Sequence, residues 1–315
     1  MKRILITGGC GFIGLNLVEY LIHETDWNIN ILDNLSNGRY EDLEKINIPN
    51  GRISFFKGDV RNYEDVEKSI RETDYVVHLA AQTSVLESIN DPIKDEQINI
   101  KGTVNLLHLA KLEKIKKFVF VSSAAALGPQ DVPINELKTP NPISFYGLSK
   151  LTGENYCRIY SKIHNLRCIV LRFSNVYGPK SYLKGSVIPK FIKKIMNKEN
   201  LEIYGNGEQT RDFVFVKDIC YGIYQCLIKS FNSFEIIQLG TGIETTINSL
   251  VKNLLNIIRK SDFDTPKIIH SEPQVSEVYR NFTDISYAKK KLDYYIRYDL
   301  KKGLEETFNW FKEEF

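Results

Sequence analysis

Apolar residues follow two different periods along the first 175 residues of this chain. Short, nearly continuous apolar runs are typical of parallel strands buried on both faces, and they alternate with longer segments in which apolar residues recur at helical spacing. The strands are predicted at 3–7, 29–32, 53–57, 75–79, 117–122 and 168–173, and the helices at 12–23, 63–71, about 91–111 and 145–163. This alternation predicts right-handed βαβ units and an α/β fold with a doubly wound parallel sheet.

The alternation ends near residue 175, and less regular elements follow. A turn at 175–179 leads to a helix at 188–196, a short strand at 201–204, a polar loop, a helix that reaches residue 228 with Asp218 as its N-cap, a strand at 235–239 and helices at 247–259 and 300–311. No repeat or flexible linker separates the two parts. The sequence therefore predicts one domain from residues 1–174 with roughly 213–235, and a smaller α/β domain from 175–212 and 236–315.

Three glycines, Gly8, Gly11 and Gly14, lie between the first predicted strand and the first predicted helix. In this setting they allow a tight turn, a close approach of the backbone to a diphosphate and close packing of helix on strand. The helix N-terminus adds unpaired N–H groups and a positive dipole end. Asp33 ends the second strand, where a carboxylate accepts the hydroxyls of an adenosine ribose and repels a 2′-phosphate. The motif predicts NAD rather than NADP.

Two further stretches are predicted to complete the cofactor pocket. The turn 34–38 follows Asp33 and contributes polar side chains and backbone at the adenosine end. The small residues Ala80 and Ala81 follow the fourth strand, where they let a flat ring or a ribose lie against the backbone.

Tyr146 and Lys150 are four residues apart in a predicted helix, so they share one face. A neighbouring ammonium is expected to favour the phenolate and to bring the phenol towards the working pH of a general base. Ser123 ends the fifth strand, where it can hydrogen-bond the same substrate oxygen. The alternative is an exposed Tyr–Lys pair and a serine turn that caps a helix. The glycine motif upstream favours the catalytic interpretation.

Charge and cysteine content exclude several other classes of protein. The net charge is +3, and the lysines at 111–117 and 289–291 are spaced like solvated helix faces, which argues against nucleic acid as a partner. The five cysteines are odd in number and lack paired metal-ligand spacing, so reduced thiols are expected and no metal is predicted. Without a signal peptide or an apolar span, the protein is expected to be soluble and cytoplasmic, with no membrane partner.

Taken in order, the motifs resemble the extended short-chain dehydrogenase/reductase family, and more narrowly its UDP-glucose 4-epimerase-like branch of nucleotide-sugar enzymes. The resemblance covers nearly the whole chain. It implies a Rossmann domain that holds NAD, a smaller C-terminal domain that holds a nucleoside diphosphate sugar, and a homodimer formed by the helices around 92–111 and 145–163. The stretches that carry it are 7–14, Asp33, 58–60, 78–81, Ser122 and Ser123, 146–150, 171–179 and 211–214.

The resemblance also implies roles for individual residues. Ser123, Tyr146 and Lys150 form the catalytic set. Substrate contacts fall on Thr83, Ser123, Asn175, Arg211 and Arg280, although a salt bridge near Asp212 is the alternative for Arg211. The cofactor contacts fall on Gly8, Gly11, Phe12, Ile13, Gly14, Asp33, Asn34, Asn37, Gly38, Asp59, Val60, Leu79, Ala80, Ala81, Tyr146 and Lys150.

The implied activity is 4-epimerisation, in which C4 of the sugar is oxidised and the hydride returns to its other face. Dehydratases of this branch carry an Asp-Glu pair after the catalytic hydroxyl, where this chain has Ala124 and Ala125, so a 4,6-dehydratase loses support. Leu127 and Phe215 also replace the usual tyrosine and histidine. A C4-dehydrogenase or 4-ketoreductase on the same substrate class remains the alternative. A non-catalytic NAD-binding protein would not need Ser123, Tyr146 and Lys150 together.

Overall fold

The structure is a computed structural model that describes residues 2–273 and 278–314. The strands that it describes lie in the first of these stretches. Their bounds are β1 Arg3–Thr7, β2 Asn28–Asp33, β3 Ile53–Lys57, β4 Tyr75–His78, β5 Lys117–Ser123, β6 Cys168–Phe173, β7 Asn175–Tyr177, β8 Leu201–Tyr204, β9 Thr210–Arg211, β10 Phe213–Phe215, β11 Phe234–Leu239, β12 Thr245–Thr246 and β13 Ile268–Ser271.

Helices connect most of these strands. In the described part of the chain, no helix combines the length and the apolar composition that crossing a bilayer requires. The helices are α1 Phe12–Glu24, α2 Tyr40–Glu44, α3 Tyr63–Ile70, α4 Val85–Asn90, α5 Pro92–Glu96, α6 Gly102–Leu112, α7 Phe145–His164, α8 Val187–Met196, α9 Val216–Ile228, α10 Ile247–Ile258, α11 Ser286–Leu292 and α12 Leu300–Glu314, with a π-helical turn at Gln97–Lys101 and a 3-10 turn at Ala124–Ala126.

The central sheet has the strand order β11-β6-β5-β4-β1-β2-β3, and all its neighbours are parallel. The chain builds outward from β1 in one direction through β2 and β3, and then in the other direction from β4. The connections diverge between β1 and β4, which leaves a crevice above their carboxyl ends, where open α/β sheets bind ligands. The predicted α/β, doubly wound Rossmann-type fold is confirmed.

Alternating side chains of the strands bury both faces of this sheet. In β1, Ile4 and Ile6 belong to the apolar cluster that includes α1 and α9, whereas Leu5 belongs to the cluster of α3, α6 and α7. The burial on both sides explains why the strands read as continuous apolar runs. It also holds the carboxyl ends of the strands on a rigid base.

A third apolar cluster lies in the C-terminal part, where α8, α10 and α12 pack with β8. Strand β13 pairs in parallel with β8. The edge strand β11 belongs to the central sheet, although residues 236–239 fall in a segment predicted for the smaller domain. The division into two domains remains a prediction.

The helix predicted at about 91–111 is confirmed as one unbroken helical run of α5, the π-helical turn and α6, whereas the short α4 before it was not anticipated. The predicted cap of α9 is wrong. Asp218 does not cap α9, which begins at Val216. The Asp218 side chain is buried and accepts hydrogen bonds from the N–H groups of Arg297 (3.1 Å) and Tyr298 (3.4 Å), because the chain before α12 folds back over it.

Candidate active site

The glycine turn between β1 and α1 is shaped to leave its outer surface open. Gly8 has a left-handed φ of +72°, and a Cβ there would lie 2.7 Å from the N atom of Ala80. A Cβ on Gly14 would lie 2.2 Å from the Gly8 carbonyl oxygen, so helix and turn can touch only without side chains. At Gly11 the sole neighbour of a Cβ within 4 Å, among the described residues, is that same oxygen, at 3.3 Å. The residues therefore fit a diphosphate above Gly11, at the start of α1.

Asp33 closes the next part of the pocket, at the end of β2. Its Oδ2 accepts a hydrogen bond from the Cys10 N–H (2.9 Å), and its Oδ1 accepts one from the Leu35 N–H (2.8 Å). Burial raises the pKa of this carboxyl, and the two N–H groups oppose the shift. Each carboxylate oxygen keeps a lone pair for a ribose hydroxyl. This arrangement fits the adenosine ribose of NAD.

The loop after β2 folds over the glycine turn. A Cβ on Gly38 would lie 2.3 Å from the Cys10 carbonyl oxygen, so the loop packs directly on the turn. Asn34 donates to Asp59 Oδ2 (2.8 Å), which joins this loop to the end of β3. Asp59 is also bound by Arg61, which lowers its pKa to about 2. The assignment of Asn37 and Val60 to the adenosine end remains a prediction.

His78 anchors the loop after β4 from below. Its ring lies between the hydroxyls of Thr7 (2.8 Å) and Thr103 (3.0 Å), and burial lowers its pKa to about 3, so it is neutral. The Thr7 hydroxyl in turn accepts from the Ala80 N–H (3.2 Å). This chain of hydrogen bonds fixes the backbone that Leu79 and the two following alanines present to the crevice.

The structure brings Ser123, Tyr146 and Lys150 together. Ser123 ends β5 and hydrogen-bonds the phenol of Tyr146, which lies in the first turn of α7. The Lys150 ammonium is one turn further along, 5.9 Å from the centre of the Tyr146 ring, and it donates to the Val121 carbonyl (3.0 Å). A phenol, a hydroxyl and an ammonium thus share the carboxyl edge of the sheet.

The expected effect of Lys150 on the phenol is not found in the protein alone. Burial raises the pKa of Tyr146 to about 12, and the hydrogen bond from Ser123 only partly offsets it. Burial also lowers the pKa of Lys150 to about 8. Desolvation is the largest cause of both shifts because both groups are enclosed. A phenolate at neutral pH therefore requires further positive charge in the site.

The second serine of this strand end has a different role. Ser122 hydrogen-bonds Glu154 Oε1 (2.5 Å), and Glu154 forms a buried ion pair with Arg172 (2.6 Å). Ser123 also accepts from the Ala125 N–H (3.2 Å), so it caps the 3-10 turn as well as contacting Tyr146. Of the two serines, Ser123 is therefore the one whose hydroxyl is shown to contact the phenol of Tyr146.

The predicted substrate residues fall into separate groups. Arg280 forms two 2.7 Å hydrogen bonds with Glu244, which also accepts from Thr210, the neighbour of Arg211. Arg211 donates to the Thr210 and Val278 carbonyls. Arg211 and Arg280 are therefore connected through Thr210 and Glu244. Asp212 is buried and accepts hydrogen bonds from Thr241, Gly242 and Thr283, while the substrate role of Arg211 and its salt-bridge alternative both remain predictions. Thr83 precedes α4, and Asn175 begins β7.

The sequence did not predict several buried polar residues beneath Tyr146. Asn99 lies in the π-helical turn and donates to Asp95 (2.9 Å) and to Ser149 (3.2 Å), and Gln82 donates to Asn99 (3.0 Å). Ser88 of α4 is also buried there. The available signal was a set of polar residues on the inward face of an otherwise amphipathic segment.

Comparison with known proteins agrees with this geometry. A sequence model of the NAD dependent epimerase/dehydratase family matches residues 4–240. A relative from Methanocaldococcus jannaschii, which carries the provisional name UDP-glucose 4-epimerase, is 38% identical over 314 residues, covering 98% of each chain.

Two solved structures are similar over the whole chain. One is the UDP-N-acetylglucosamine 4-epimerase of Methanobrevibacter ruminantium in complex with UDP-N-acetylmuramic acid, at 33% identity and a TM-score of 0.92, with 100% of this chain and 99% of that chain covered. The other is the UDP-glucuronic acid 4-epimerase of Bacillus cereus in complex with UDP-glucuronic acid and NAD. It is 28% identical, with a TM-score of 0.91, and 100% of each chain is covered. The protein belongs to the NAD-dependent epimerase/dehydratase family of extended short-chain dehydrogenases/reductases.

Proposed function

We propose that this protein is an NAD-dependent 4-epimerase of UDP-sugars. The observation that carries the proposal is the cluster of Ser123, Tyr146 and Lys150 at the carboxyl edge of the sheet, followed by Ala124 and Ala125. The cluster suits removal of a hydroxyl proton, and the two methyl groups supply no second acid or base. The names of the similar proteins support UDP as the nucleotide.

The chain's residues divide the work as follows. Tyr146 Oη takes the proton of the C4 hydroxyl, Ser123 Oγ holds the same oxygen, and Lys150 contributes positive charge beneath them. NAD, which the glycine turn and Asp33 would hold, would supply a reversible acceptor for the C4 hydride and a positive charge that favours the phenolate. Once the 4-keto sugar presents its opposite face, return of the hydride to C4 and of the proton to O4 would invert C4. The net oxidation state of the sugar does not change.

Dehydration would require an acid and a base near C5 and C6 of the sugar. Two buried carboxylates near the cluster are already engaged, since Glu154 pairs with Arg172 (2.6 Å) and Asp95 accepts a hydrogen bond from Asn99 (2.9 Å). Ala124 and Ala125 stand at the positions after Ser123. These contacts favour reversible oxidation at C4 over elimination.

The proposal is tested by incubating purified protein with UDP-glucose, UDP-N-acetylglucosamine or UDP-glucuronic acid and following the anomeric protons by NMR. We expect the C4 epimer without added NAD and without NADH absorbance. A ketosugar with stoichiometric NADH would indicate the dehydrogenase alternative, and binding without turnover would indicate a non-catalytic NAD-binding protein.

Matched variants connect this activity to Tyr146. Tyr146→Phe should lower kcat by about a hundredfold or more, because a general base is lost. Tyr160→Phe removes a phenol from the same helix, further from the site, and should leave kcat unchanged. An unaltered rate in Tyr146→Phe would exclude Tyr146 as the base.

We also propose a cytoplasmic homodimer. Two helices, α4 and α7, expose an association face made of large apolar side chains, which a second copy would bury. The five cysteines are buried and free, which suits a reducing compartment. The association face consists of Val85, Leu86, Ile89, Phe145, Leu148, Tyr156, Ile159 and Ile163.

A further inference from the structure

Ser88 connects helix α4 to the backbone of Tyr146. It is 0% exposed, and its Oγ accepts a hydrogen bond from the Tyr146 N–H at 3.1 Å, across 58 residues of sequence. The Tyr146 N–H is one of the first amides of α7, which have no partner within their own helix. The N-cap Ser144 serves a different amide, that of Gly147 (3.0 Å).

The Ser88 hydroxyl is a donor in one hydrogen bond and an acceptor in the other. The Ser88 hydroxyl donates its single hydrogen to the Val85 carbonyl (2.7 Å), so a lone pair is left for the Tyr146 N–H. The serine therefore forms a bridge from the backbone of α4 to the backbone of α7. Removing the hydroxyl would leave a buried N–H without an acceptor.

Helix α4 is itself held in place at its start. Ser84 caps it by accepting from the Glu87 N–H (3.1 Å), and Gln82 donates to the Ser84 carbonyl (2.9 Å). Gln82 also exchanges hydrogen bonds with Asn99 in both directions, each of 3.0 Å. Thr83, a predicted substrate contact, lies within this anchored segment. The same short helix therefore joins Thr83 to Tyr146.

We propose that Ser88 is a positioning residue for the reaction: by binding the amide of Tyr146, it fixes the first turn of α7 against α4 and so sets the phenol in line with the substrate. The inference rests on the proposed function, in which Tyr146 is the base. Ser88 touches neither substrate nor cofactor in this proposal. A displacement of the phenol by about 1 Å can cost a hundredfold in rate without loss of binding.

Ser88→Ala tests the proposal by the division between kcat and KM. We expect kcat for epimerisation to fall by about tenfold to a hundredfold, while the KM for the UDP-sugar and the NAD content of the purified enzyme stay unchanged. Ser88→Thr keeps the hydroxyl and should recover most of the rate.

Ser69→Ala is the matched control. Ser69 is also 0% exposed and donates to the carbonyl three residues earlier, Val66 (3.0 Å), but it lies in α3, and among the described residues no hydrogen bond joins its side chain to α7. Its kcat should equal that of the wild type. An equal loss of kcat in both variants, or full activity in Ser88→Ala, would overturn the proposal.

A double variant separates positioning from general loss of structure. In Tyr146→Phe the amide is kept but the base is absent, so adding Ser88→Ala should not lower the residual rate further. A further drop of tenfold would show that Ser88 acts elsewhere. If Ser88→Ala does not fold, Ser88→Cys replaces it, because a thiol is a weaker acceptor. This variant should likewise lower kcat with unchanged KM, and it should not lower the residual rate of Tyr146→Phe.

The products formed by the wild-type enzyme distinguish failure of the proposed 4-epimerisation from failure of the proposed role of Ser88. Formation of a ketosugar with NADH would reject epimerisation, yet the kcat of that hydride transfer would still decide whether Ser88 positions Tyr146. Absence of any hydride transfer with the UDP-sugars would reject both.

Discussion

Asp33 makes contacts that serve the fold, and we propose that it also binds the adenosine ribose of the cofactor. Its two oxygens each accept a hydrogen bond from one backbone N–H, that of Cys10 or that of Leu35. The carboxylate therefore holds the glycine turn in shape and also places its own negative charge beside that turn. A substitution therefore has two separable effects, one on binding and one on stability.

We predict that Asp33→Asn weakens NAD binding and reduces the preference for NAD over NADP. The amide removes the negative charge that repels a 2′-phosphate, and its single carbonyl oxygen is a poorer acceptor for two ribose hydroxyls. Titration calorimetry with both dinucleotides measures the ratio of the two Kd values. An unchanged ratio would mean that Asp33 is only a turn residue.

The surface variant Asp26→Ala controls for the loss of one negative charge near β2, because its side chain is exposed. Asp33→Ala should also lower the free energy of unfolding by about 1–3 kcal/mol for each amide left without an acceptor. Urea unfolding of Asp33→Ala and Asp26→Ala measures this loss of stability separately from the change in dinucleotide preference.

Buried polar residues mark the limit of what the sequence predicts at the site. Ser123, Tyr146 and Lys150 follow from the end of an apolar strand and a spacing of four in one helix, both local features. Ser88 and Asn99 contact α7 across 58 and 50 residues, and no periodicity encodes such a pairing. The pKa of Tyr146 also could not be foreseen, since it depends on the degree of enclosure rather than on Lys150 alone.

Among the elements, the sheet strands followed most closely from sequence because their burial on both faces leaves an uninterrupted apolar run. Helix α4 did not, since Leu86 and Ile89 are exposed (68% and 54%) and mark no face towards the core. Strand β11 was predicted at 235–239, but its place at the edge of the sheet depends on pairing with β6, a distant contact. Local pattern predicts an element, and tertiary packing decides its neighbours.

Asp218 in α9 gives a pH-dependent prediction. Burial raises its pKa from 3.8 to about 6, so between these values the folded chain binds a proton that the unfolded chain releases. Stability from this group is therefore present below about pH 4 and is lost as the pH rises through about 6. We expect the free energy of unfolding of the wild type, minus that of Asp218→Asn, to fall over this range.

Urea unfolding at steps from pH 4 to pH 7 measures this difference, and other carboxyls cancel because both proteins contain them. A flat difference for Asp218→Asn would show that the carboxyl titrates in the folded protein as it does in the unfolded one.

In the whole molecule, α7 separates two environments. Its inward face carries Tyr146, Lys150 and Glu154, whereas Leu148, Ile159 and Ile163 point outward and are 50%, 49% and 65% exposed. Exposed apolar side chains on two adjacent helices are typical of a surface that another chain covers. The proposed homodimer would remove this area from water.

We predict that Leu86→Glu or Ile159→Glu converts the dimer to a monomer, because a charge at the centre of an apolar interface is left desolvated and unpaired. Light scattering after size-exclusion chromatography gives the mass directly. Leu137→Glu is the matched control, since Leu137 is 92% exposed and lies outside both helices. Dimers in the first two variants would place the contact elsewhere, and monomeric wild type would refute association.

The π-helical turn at Gln97–Lys101 has a consequence for how this chain tolerates changes in length. The N–H of Gly102 reaches back five residues to the Gln97 carbonyl, so the segment holds one residue more than an uninterrupted α-helix would place there. Deleting a single residue here would restore regular winding, and the helix before the turn would keep its orientation relative to α6, because the widened turn already absorbs the extra residue. Asp95 and the Asp91 cap would stay on the same side of the helix, whereas Asn99 and the other side chains of the turn would change direction. A one-residue change in chain length here should therefore be compatible with the fold while breaking the hydrogen bonds of Asn99.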